Sequence, residues 1–355
     1  MGSNISVTLA ETKKAKPADN NLPFGEHFTD HMFVMDYAEG EGWKDARIVP
    51  HRPFAIDPAA MVFHYGQSVF EGLKAYRAQD GRTLLFRPEI NFARLNRSDA
   101  RICIPPLDEA LALRALKELL AIERDWIPGA EGTSLYIRPF VFATEAMLGV
   151  RPSKTYRFMI ILSPVGAYYK TGLAPVTIMV EDEYVRAVRG GIGFTKSSAN
   201  YAMSLIGQIK AMEQGCTQVL WLDGVERRYV EEVGTMNVFF VIDQTVVTPR
   251  LAGSILPGVT RDSVIHLLKH WGLSVAERSL SVDELVAAGE NGSLSEAFGT
   301  GTAAVISPIG ALRVADKNIE INGARTGELS QRLYDTLTGI QYGAVADEFN
   351  WTMEV

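Results

Sequence analysis

The spacing of apolar residues along the chain predicts alternating strands and helices. Apolar runs bounded by turn residues indicate strands at 28–37, 134–142, 156–163 and 176–181. Apolar residues at helical spacing indicate helices at about 89–101, 108–125, 201–214 and 260–271. Thr260-Arg261-Asp262 is expected to cap the last of these helices.

Turn residues divide this pattern into larger parts. Asp80-Gly81 lies between two apolar runs in residues 72–87 and predicts a hairpin with a type I′ turn. A second hairpin-like unit around Asp223-Gly224 ends in the apolar run 236–242. Residues 163–175 are rich in Gly, Pro and Tyr and predict an interdomain loop. We therefore expect a flexible tail at 1–22, an α+β domain at 23–162 and a larger domain at 176–355.

Composition narrows the class of protein. The chain has 355 residues, of which 47% are hydrophobic and 22% charged, enough to bury a sizeable core. A net charge of −7 argues against a nucleic-acid partner. Cys103 and Cys216 form no CxxC pair, so neither a disulfide framework nor a zinc site is expected. No apolar run approaches the roughly 18 residues of a membrane span, and the polar N-terminus makes a poor targeting peptide. These features predict a cytoplasmic protein.

Lys196 is the first candidate for chemistry. It follows a glycine-rich stretch in RGGIGFTKSSANY, at the entrance to a helix. One interpretation is an ordinary solvated cation. A phosphate-binding Walker loop is another, but that motif needs Gly immediately before the Lys, and Thr195 stands there. An amine made nucleophilic by a dry, partly cationic site is the requirement for Schiff-base chemistry.

Glu232 is the second candidate. It lies in EEVGTMN, at the expected entrance to a strand and close to Gly234, where backbone can approach a ligand. A carboxylate here could pair with a protonated pyridine nitrogen and keep such a ring an electron sink. The alternative is an ordinary surface glutamate.

Anion-binding features form the third group. Residues 256–260 lead directly into a helix, whose N-terminus offers free N–H groups and a positive dipole end. Residues 299–302 form a second glycine turn, and Arg94 lies on a predicted helix. Together they could hold one phosphate, although each alone is weak evidence. The histidine pairs at 27/31 and 266/270 lack the glutamate of a metalloprotease motif, and no metal site is expected.

Many segments, in this order, resemble class IV aminotransferases of pyridoxal 5′-phosphate (PLP) fold type IV, and specifically branched-chain aminotransferases. They include FGEHFTDHM, HYGQSVFEGLKAYR, NFARLNRSDARICIP, LYIRPF, FTKSSANYA, EEVGTMNVFF, LPGVTRD and FGTGTAA. The resemblance implies a two-domain fold, with a smaller N-terminal α+β domain and a larger, β-barrel-like C-terminal domain surrounded by helices.

The resemblance also implies roles for single residues. Lys196 matches the lysine that forms the Schiff base with PLP and then acts as general base. Glu232 matches the partner of the pyridine nitrogen, Tyr201 the partner of the phenolic oxygen, and Arg94 the phosphate-binding arginine. The remaining phosphate contacts match Val259, Thr260 and Thr302. Substrate-pocket positions match Phe24, Tyr65, Phe70, Tyr136, Arg138, Thr235 and Ala303, together with Leu148 and Val150, which in the family reach the neighbouring subunit and so imply a homodimer.

The implied reaction is ping-pong transamination of leucine, isoleucine or valine with 2-oxoglutarate, giving 2-oxo acids and glutamate. A D-amino acid aminotransferase and an aminodeoxychorismate lyase are alternatives on the same fold. A non-catalytic PLP-binding protein and a phosphate-binding domain without PLP are alternatives of other classes. The chain departs from some relatives at Ala304 and Ser307, where they carry a CxxC redox pair, and at Ser-Ser-Ala 197–199, where glycines are common.

Overall fold

Two compact units make up the chain, each with its own sheet and core. The computed structural model describes residues 4–19, 21–166 and 173–355. The first unit comprises the described residues before position 169 together with Thr195–Ala199 and Gly339–Val355. The second comprises the described residues from there to Phe194, and Asn200–Thr338. Among the described residues no helix is long and apolar enough to cross a membrane.

Strands and helices alternate along the chain as the apolar pattern predicts. The strands are β1 Ser6–Val7, β2 His31–Ala38, β3 Gly42–Pro50, β4 Ser68–Phe70, β5 Leu73–Arg77, β6 Thr83–Phe86, β7 Ser134–Ala143, β8 Thr155–Val165, β9 Val176–Glu181, β10 Gln218–Leu222, β11 Val230–Val233, β12 Asn237–Ile242, β13 Thr245–Thr248, β14 Val275–Glu277, β15 Leu294–Gly301, β16 Val305–Val314, β17 Lys317–Glu320 and β18 Thr352–Glu354. The α-helices are α1 Met61–Tyr65, α2 Pro88–Arg101, α3 Glu109–Ile122, α4 Ser198–Glu213, α5 Val259–His270, α6 Val282–Glu290 and α7 Glu328–Gln341.

The sheet of the first unit has the strand order β1-β3-β2-β8-β7-β5-β6-β18, with β4 also paired to β7. Successive side chains of strand β7 point to opposite faces of the sheet: Leu135 and Ile137 enter the core, while Tyr136 and Arg138 lie on the other face. On the side of β7 away from β8, the paired strand changes from β4 to β5 beside Pro139. The carbonyl of Pro139 accepts the N–H of Glu71 at 2.7 Å. Between β4 and β5 no backbone N–H of β7 has to donate to a neighbouring strand, so a proline is tolerated in this central strand.

The sheet of the second unit has the order β11-β10-β9-β16-β15-β12-β13-β14, with β17 paired to β16. Strands β10 and β16 are parallel to β9, and β12, β15 and β16 form an antiparallel series. A separate core lies on this sheet and includes Leu220, Phe240 and Leu312. The predicted fold class, mixed α and β with two domains, is confirmed.

Three local predictions were wrong. Asp80 does not have positive φ, so the β5–β6 turn is not type I′; only Gly81 is left-handed, at φ 86°. Helix α5 is capped by Gly258 without any side-chain hydrogen bond, because Thr260 lies inside the helix. Residues 163–165 end strand β8 rather than begin a loop, and 167–172 of that predicted loop lie outside the described residues.

The N-terminal segment makes specific contacts, in contrast to the flexible tail that the sequence indicated. Strand β1 pairs in parallel with β3. Further along, the N–H of Ala10 donates to Nε2 of His31 at 2.8 Å, and the N–H of Lys14 donates to Oδ1 of Asp30 at 2.7 Å. Residues 4–19 therefore lie against the first unit at defined points.

Asp99 on α2 is buried, and neither of its carboxylate oxygens has a hydrogen-bond partner among the described residues. Burial raises the pKa of Asp99 well above its ordinary value, so the folded state holds a proton that the unfolded chain releases above about pH 4. Its contribution to stability is therefore lost as the pH rises towards the folded-state pKa.

We expect Asp99→Asn to raise the free energy of unfolding by about 1–3 kcal/mol at about pH 8, and by much less at about pH 4. Urea unfolding of both proteins at the two pH values measures the difference. Asp316→Asn, at an exposed position, is the matched control. An advantage of equal size at both pH values would contradict a buried, protonated carboxyl at position 99.

Candidate active site

Lys196 is fixed to the first unit by its backbone. Its N–H donates to Oγ of Ser98 at 3.0 Å, and its carbonyl accepts the N–H of Phe70 at 3.1 Å. Ser197 forms an antiparallel bridge with Val69. The ammonium nitrogen of Lys196 lies 4.8 Å from the centroid of the Phe70 ring. The backbone is thus held beside β4, and the side chain lies over the Phe70 ring.

A buried ion pair lies next to this lysine. Nε and Nη2 of Arg94 donate to the two carboxylate oxygens of Glu71 at 2.7 and 2.9 Å, and Asn91 Nδ2 donates at 2.8 Å. Burial opposes the charged form of Glu71, but Arg94, Lys196 and Asn91 outweigh it and lower the pKa of Glu71. Glu71 therefore stays ionised, and it holds Arg94 in a planar, two-point geometry.

Aromatic and cationic groups share one face of the β7 sheet. The guanidinium of Arg138 lies 4.5 Å from the Phe70 ring centroid, and its Nη2 donates to the Tyr136 hydroxyl at 3.2 Å. Phe24 packs edge-on against Tyr136, with ring centroids 4.9 Å apart. Gly72 is required here, because a Cβ at that position would lie 2.1 Å from the Tyr136 hydroxyl. Four predicted substrate residues are thereby brought together.

Arg138 retains one buried donor, Nε, without a hydrogen-bond partner among the described residues. A second cation, Lys74, lies directly opposite Tyr136 in the β5–β7 ladder, and burial lowers the pKa of Lys74 to about 8. A half-buried guanidinium with an unused, buried donor is expected to bind an anionic group. This face can therefore receive both an apolar chain and a carboxylate.

The other predicted pocket residues of the first unit lie at the surface. Tyr65 ends helix α1 and is exposed. Leu148 and Val150 are 69% and 87% exposed in the single chain. Within the first unit none of these three joins the cluster of Phe24, Phe70, Tyr136 and Arg138.

Glu232 is buried in strand β11 of the second unit. Its Oε1 accepts the N–H of Leu256 at 2.9 Å, and its Oε2 lies 3.1 Å from Nε of Arg186. Asn237 Nδ2 donates to the Leu256 carbonyl at 2.9 Å. The carboxylate thus lies inside the strand, not at its entrance, and a buried guanidinium compensates its charge.

Helix α5 begins immediately beyond that contact. Val259 and Thr260 are its first two residues, and Gly258 caps it without a side-chain hydrogen bond, so first-turn N–H groups are available to an anion. A Cβ on Gly258 would lie 2.1 Å from Asn237 Oδ1, so the approach of loop to strand requires glycine. The remaining predicted residues of this unit lie in its helix α4 and in turns: Tyr201, Thr235, Thr302 and Ala303.

These groups suit the chemistry of PLP. An amine can bind an aldehyde, a buried carboxylate can hold a pyridinium proton, and a helix N-terminus without a side-chain cap can bind a phosphate. Lys196, Glu232 and the first turn of α5 supply these three features. Each of these groups therefore fits the chemistry of one part of the cofactor.

Sequence reasoning missed the residues that support the predicted ones. Glu71 and Lys74 stand in SVFEGLKAY, where charged residues interrupt an apolar run, and that interruption could have identified them. Arg186 and Ser98 carry no such signal, because their contacts with Glu232 and with the backbone of Lys196 depend on tertiary structure.

Comparison with known proteins identifies the family. The model of the amino-transferase class IV family matches residues 68–312. Branched-chain-amino-acid aminotransferase 2 of Bacillus subtilis (strain 168) is 62% identical over 351 residues, which are 99% of this chain and 97% of that protein.

Solved structures of branched-chain amino acid aminotransferases have a similar fold. The branched-chain amino acid aminotransferase of Escherichia coli superposes with a TM-score of 0.75 at 27% identity, covering 91% of this chain and 98% of that one. The enzyme of Thermobaculum terrenum, solved in its PLP form, shares the fold with a TM-score of 0.73 at 24% identity, covering 91% and 97%. The chain therefore belongs to the class IV aminotransferases and, within them, to the branched-chain-amino-acid aminotransferases.

Proposed function

We propose that this enzyme uses PLP to transfer the amino group of leucine, isoleucine or valine to 2-oxoglutarate, giving the 2-oxo acid and L-glutamate by a ping-pong mechanism. The observation that supports the proposal is that apolar side chains and a cation lie together on one face of β7. Phe24, Phe70 and Tyr136 offer an apolar wall, while Arg138 offers a cation with an unused donor. A pocket that alternately accepts an aliphatic side chain and a γ-carboxylate needs both an apolar wall and a cation.

Single residues have separate proposed roles towards the cofactor. Lys196 would bind its aldehyde, Glu232 its ring nitrogen and Tyr201 its phenolic oxygen. Arg94, Val259, Thr260 and Thr302 would bind its phosphate. PLP, when bound, supplies a ring that accepts the electron pair left behind when the substrate Cα loses its proton.

The remaining chemistry belongs to the side chains. With the cofactor bound, the amine of Lys196 would act as general base and take the proton from the substrate Cα. Glu232, which accepts from Leu256 and is compensated by Arg186, would hold a proton on the ring nitrogen. Glu71 balances the charge of Arg94 beside the lysine, so that the local field is not set by two uncompensated cations.

Arg138 distinguishes the two substrates in this account. We expect Arg138→Ala to reduce kcat/KM for glutamate by about 10²-fold, the value of a charge-assisted hydrogen bond, and that for leucine by less than about tenfold. Steady-state assays with each amino donor measure the difference. Arg313→Ala, on the second unit's sheet, is the control. Equal losses for glutamate and leucine would remove the carboxylate-binding role of Arg138.

We also propose a cytoplasmic homodimer. The exposure of Leu148 and Val150 supports it, since both would reach the pocket of a second copy. Helix α4 also exposes large apolar side chains, including Leu205, Ile209 and Met212. The free thiols of Cys103 and Cys216 are consistent with a reducing compartment. Sedimentation equilibrium tests the assembly, and a monomer at assay concentration would contradict it.

A panel of amino donors tests the proposed activity. L-leucine, L-isoleucine and L-valine are expected to support glutamate formation from 2-oxoglutarate. D-alanine is expected to be inactive, which separates this function from a D-amino acid aminotransferase on the same fold. Activity with D-amino acids alone would overturn the proposal.

A further inference from the structure

A bulge in strand β11 brings two consecutive glutamates to one side of the second sheet. The ladder with β10 pairs Val230 and Glu232 with consecutive residues of β10, so Glu231 is an extra residue without a partner in the ladder. Val230 and Val233 both enter the core although they are three positions apart, a spacing that would place them on opposite faces of a regular strand. The carboxylates of Glu231 and Glu232 leave the core together and bond to one loop, residues 254–256.

Arg186 faces both carboxylates. Its Nε lies 3.1 Å from Oε2 of Glu232, and its charge also acts on Glu231. Its Nη2 donates to the carbonyl of Ser254, whose hydroxyl donates to Oε1 of Glu231. These four residues are buried, and none is more than 6% exposed. One guanidinium therefore serves two carboxylates in a place that solvent does not reach.

Glu231 is the member of this group that holds a proton. Burial raises the pKa of Glu231 by more than Ser254 and Arg186 lower it. The like charges of Glu232 and Asp223 raise the pKa of Glu231 further. Oε2 of Glu231 has no hydrogen-bond partner among the described residues, so a charge on this oxygen would be neither solvated nor bonded. The neutral acid is therefore the form that fits this position.

The charged groups around the cluster favour the same protonation state. Burial opposes the ionisation of Asp223, but four backbone N–H groups outweigh it and lower the pKa of Asp223 to about 2, so Asp223 stays negative. Two cations on neighbouring elements are engaged with other carboxylates: Lys210 of α4 with Glu181 of β9 at 3.1 Å, and Arg228 with Asp283 of α6 at 3.4 Å. The charge of Glu231 therefore depends on Arg186 and on any further cation that approaches Glu232.

We propose that Glu231 is a second carboxyl for the cofactor ring, protonated in the free enzyme and ionised when a protonated pyridine ring binds at Glu232. The ring supplies the second positive charge that two carboxylates need. The O–H bond of Glu231 breaks, the electron pair stays on the carboxylate, and the proton goes to the ring nitrogen or, if the ring is already protonated, to solvent. Glu231 is thus a positioning residue that acts through the charge of the cluster. The inference rests on the proposed use of PLP.

Infrared spectroscopy of the apoenzyme tests the protonated state without cofactor. At about pH 6 the wild type should show a carboxylic-acid carbonyl band that Glu231→Gln lacks. Asp99, whose pKa burial also raises, contributes to both spectra and cancels in the difference. Glu226→Gln, at an exposed position in the loop before β11, is the matched control and should keep the band. Identical acid bands in the wild type and in Glu231→Gln would overturn the proposal.

Titration calorimetry with PLP, in buffers of different ionisation enthalpy, counts the protons exchanged on binding. At about pH 6 the wild type should release about 0.5–1 proton more per site than Glu231→Gln, because only the wild type has an acid to ionise at this position. At about pH 8.5 the difference should be close to zero, since Glu231 is then ionised before PLP binds. Proton counts that are equal for the two proteins at both pH values would contradict the proposed ionisation of Glu231.

The wild type alone decides the question if Glu231→Gln does not fold. Its acid band should lose intensity when PLP binds at about pH 6, because the carboxyl of Glu231 then ionises. PLP binding with an unchanged acid band would overturn the role of Glu231 and leave the proposed function intact. A protein that binds no PLP would instead overturn the proposed function.

Discussion

Lys196→Ala is expected to lower kcat/KM for leucine at least about 10⁴-fold, because the substitution removes the proposed cofactor-binding amine, which is also the proposed base for the Cα proton. The side chain lies along the Phe70 ring and near the Glu71–Arg94 pair, and its backbone is held at both N–H and carbonyl. Truncation beyond Cβ leaves those backbone contacts in place. The variant should therefore fold and lose chemistry.

The measurement pairs steady-state assays with absorbance. Lys196→Ala should also lack the long-wavelength band of the lysine–cofactor linkage. Lys269→Ala, an exposed lysine on α5, is the matched control and should keep both activity and band. Wild-type activity in the Lys196 variant would contradict the proposed catalytic role of Lys196.

Glu71→Gln has the second largest expected effect. It leaves the guanidinium of Arg94 buried without a compensating charge, a change that typically costs about 3–5 kcal/mol. Glu71 is fully buried and Arg94 is 4% exposed, so solvent cannot replace the lost partner. Urea unfolding is expected to show this loss in the apoenzyme.

A double variant separates structure from cofactor binding. Glu71→Leu/Arg94→Met removes both charges, and replacing a whole buried pair with apolar groups is often close to neutral. We expect stability to return towards the wild-type value while PLP affinity stays at least about 10²-fold weaker, because the proposed phosphate-binding group is gone. Recovery of PLP affinity along with stability would show that Arg94 has only a structural role.

The regular elements could be predicted because their signals are local. Strands β7 and β9 follow from apolar runs, and helix α2 from the apolar pattern of residues 89–101. The pairing of β18 with β6 could not be predicted, because a three-residue strand far along the chain carries no periodic signal. The N-terminal segment was missed for a similar reason, since its contacts run from backbone and a lysine to His31 and Asp30.

The candidate residues followed largely from family resemblance, whereas their supports did not. Nothing local indicates that Glu71 meets Arg94 twenty-three positions later, or that Arg186 compensates Glu232. Such partners are set by strand register and by which face of a helix is buried. The resemblance located the groups that would touch cofactor and substrate, and the structure shows what holds them in place and charged.

The most direct test of the central claim is a half-reaction followed by absorbance. Purified enzyme carrying PLP is mixed with L-leucine alone, and then with 2-oxoglutarate. Leucine is expected to convert the long-wavelength band to that of the aminated cofactor, with release of the 2-oxo acid, and 2-oxoglutarate is expected to restore the band. A spectrum unchanged by leucine, or a protein that binds no PLP, would contradict the claim.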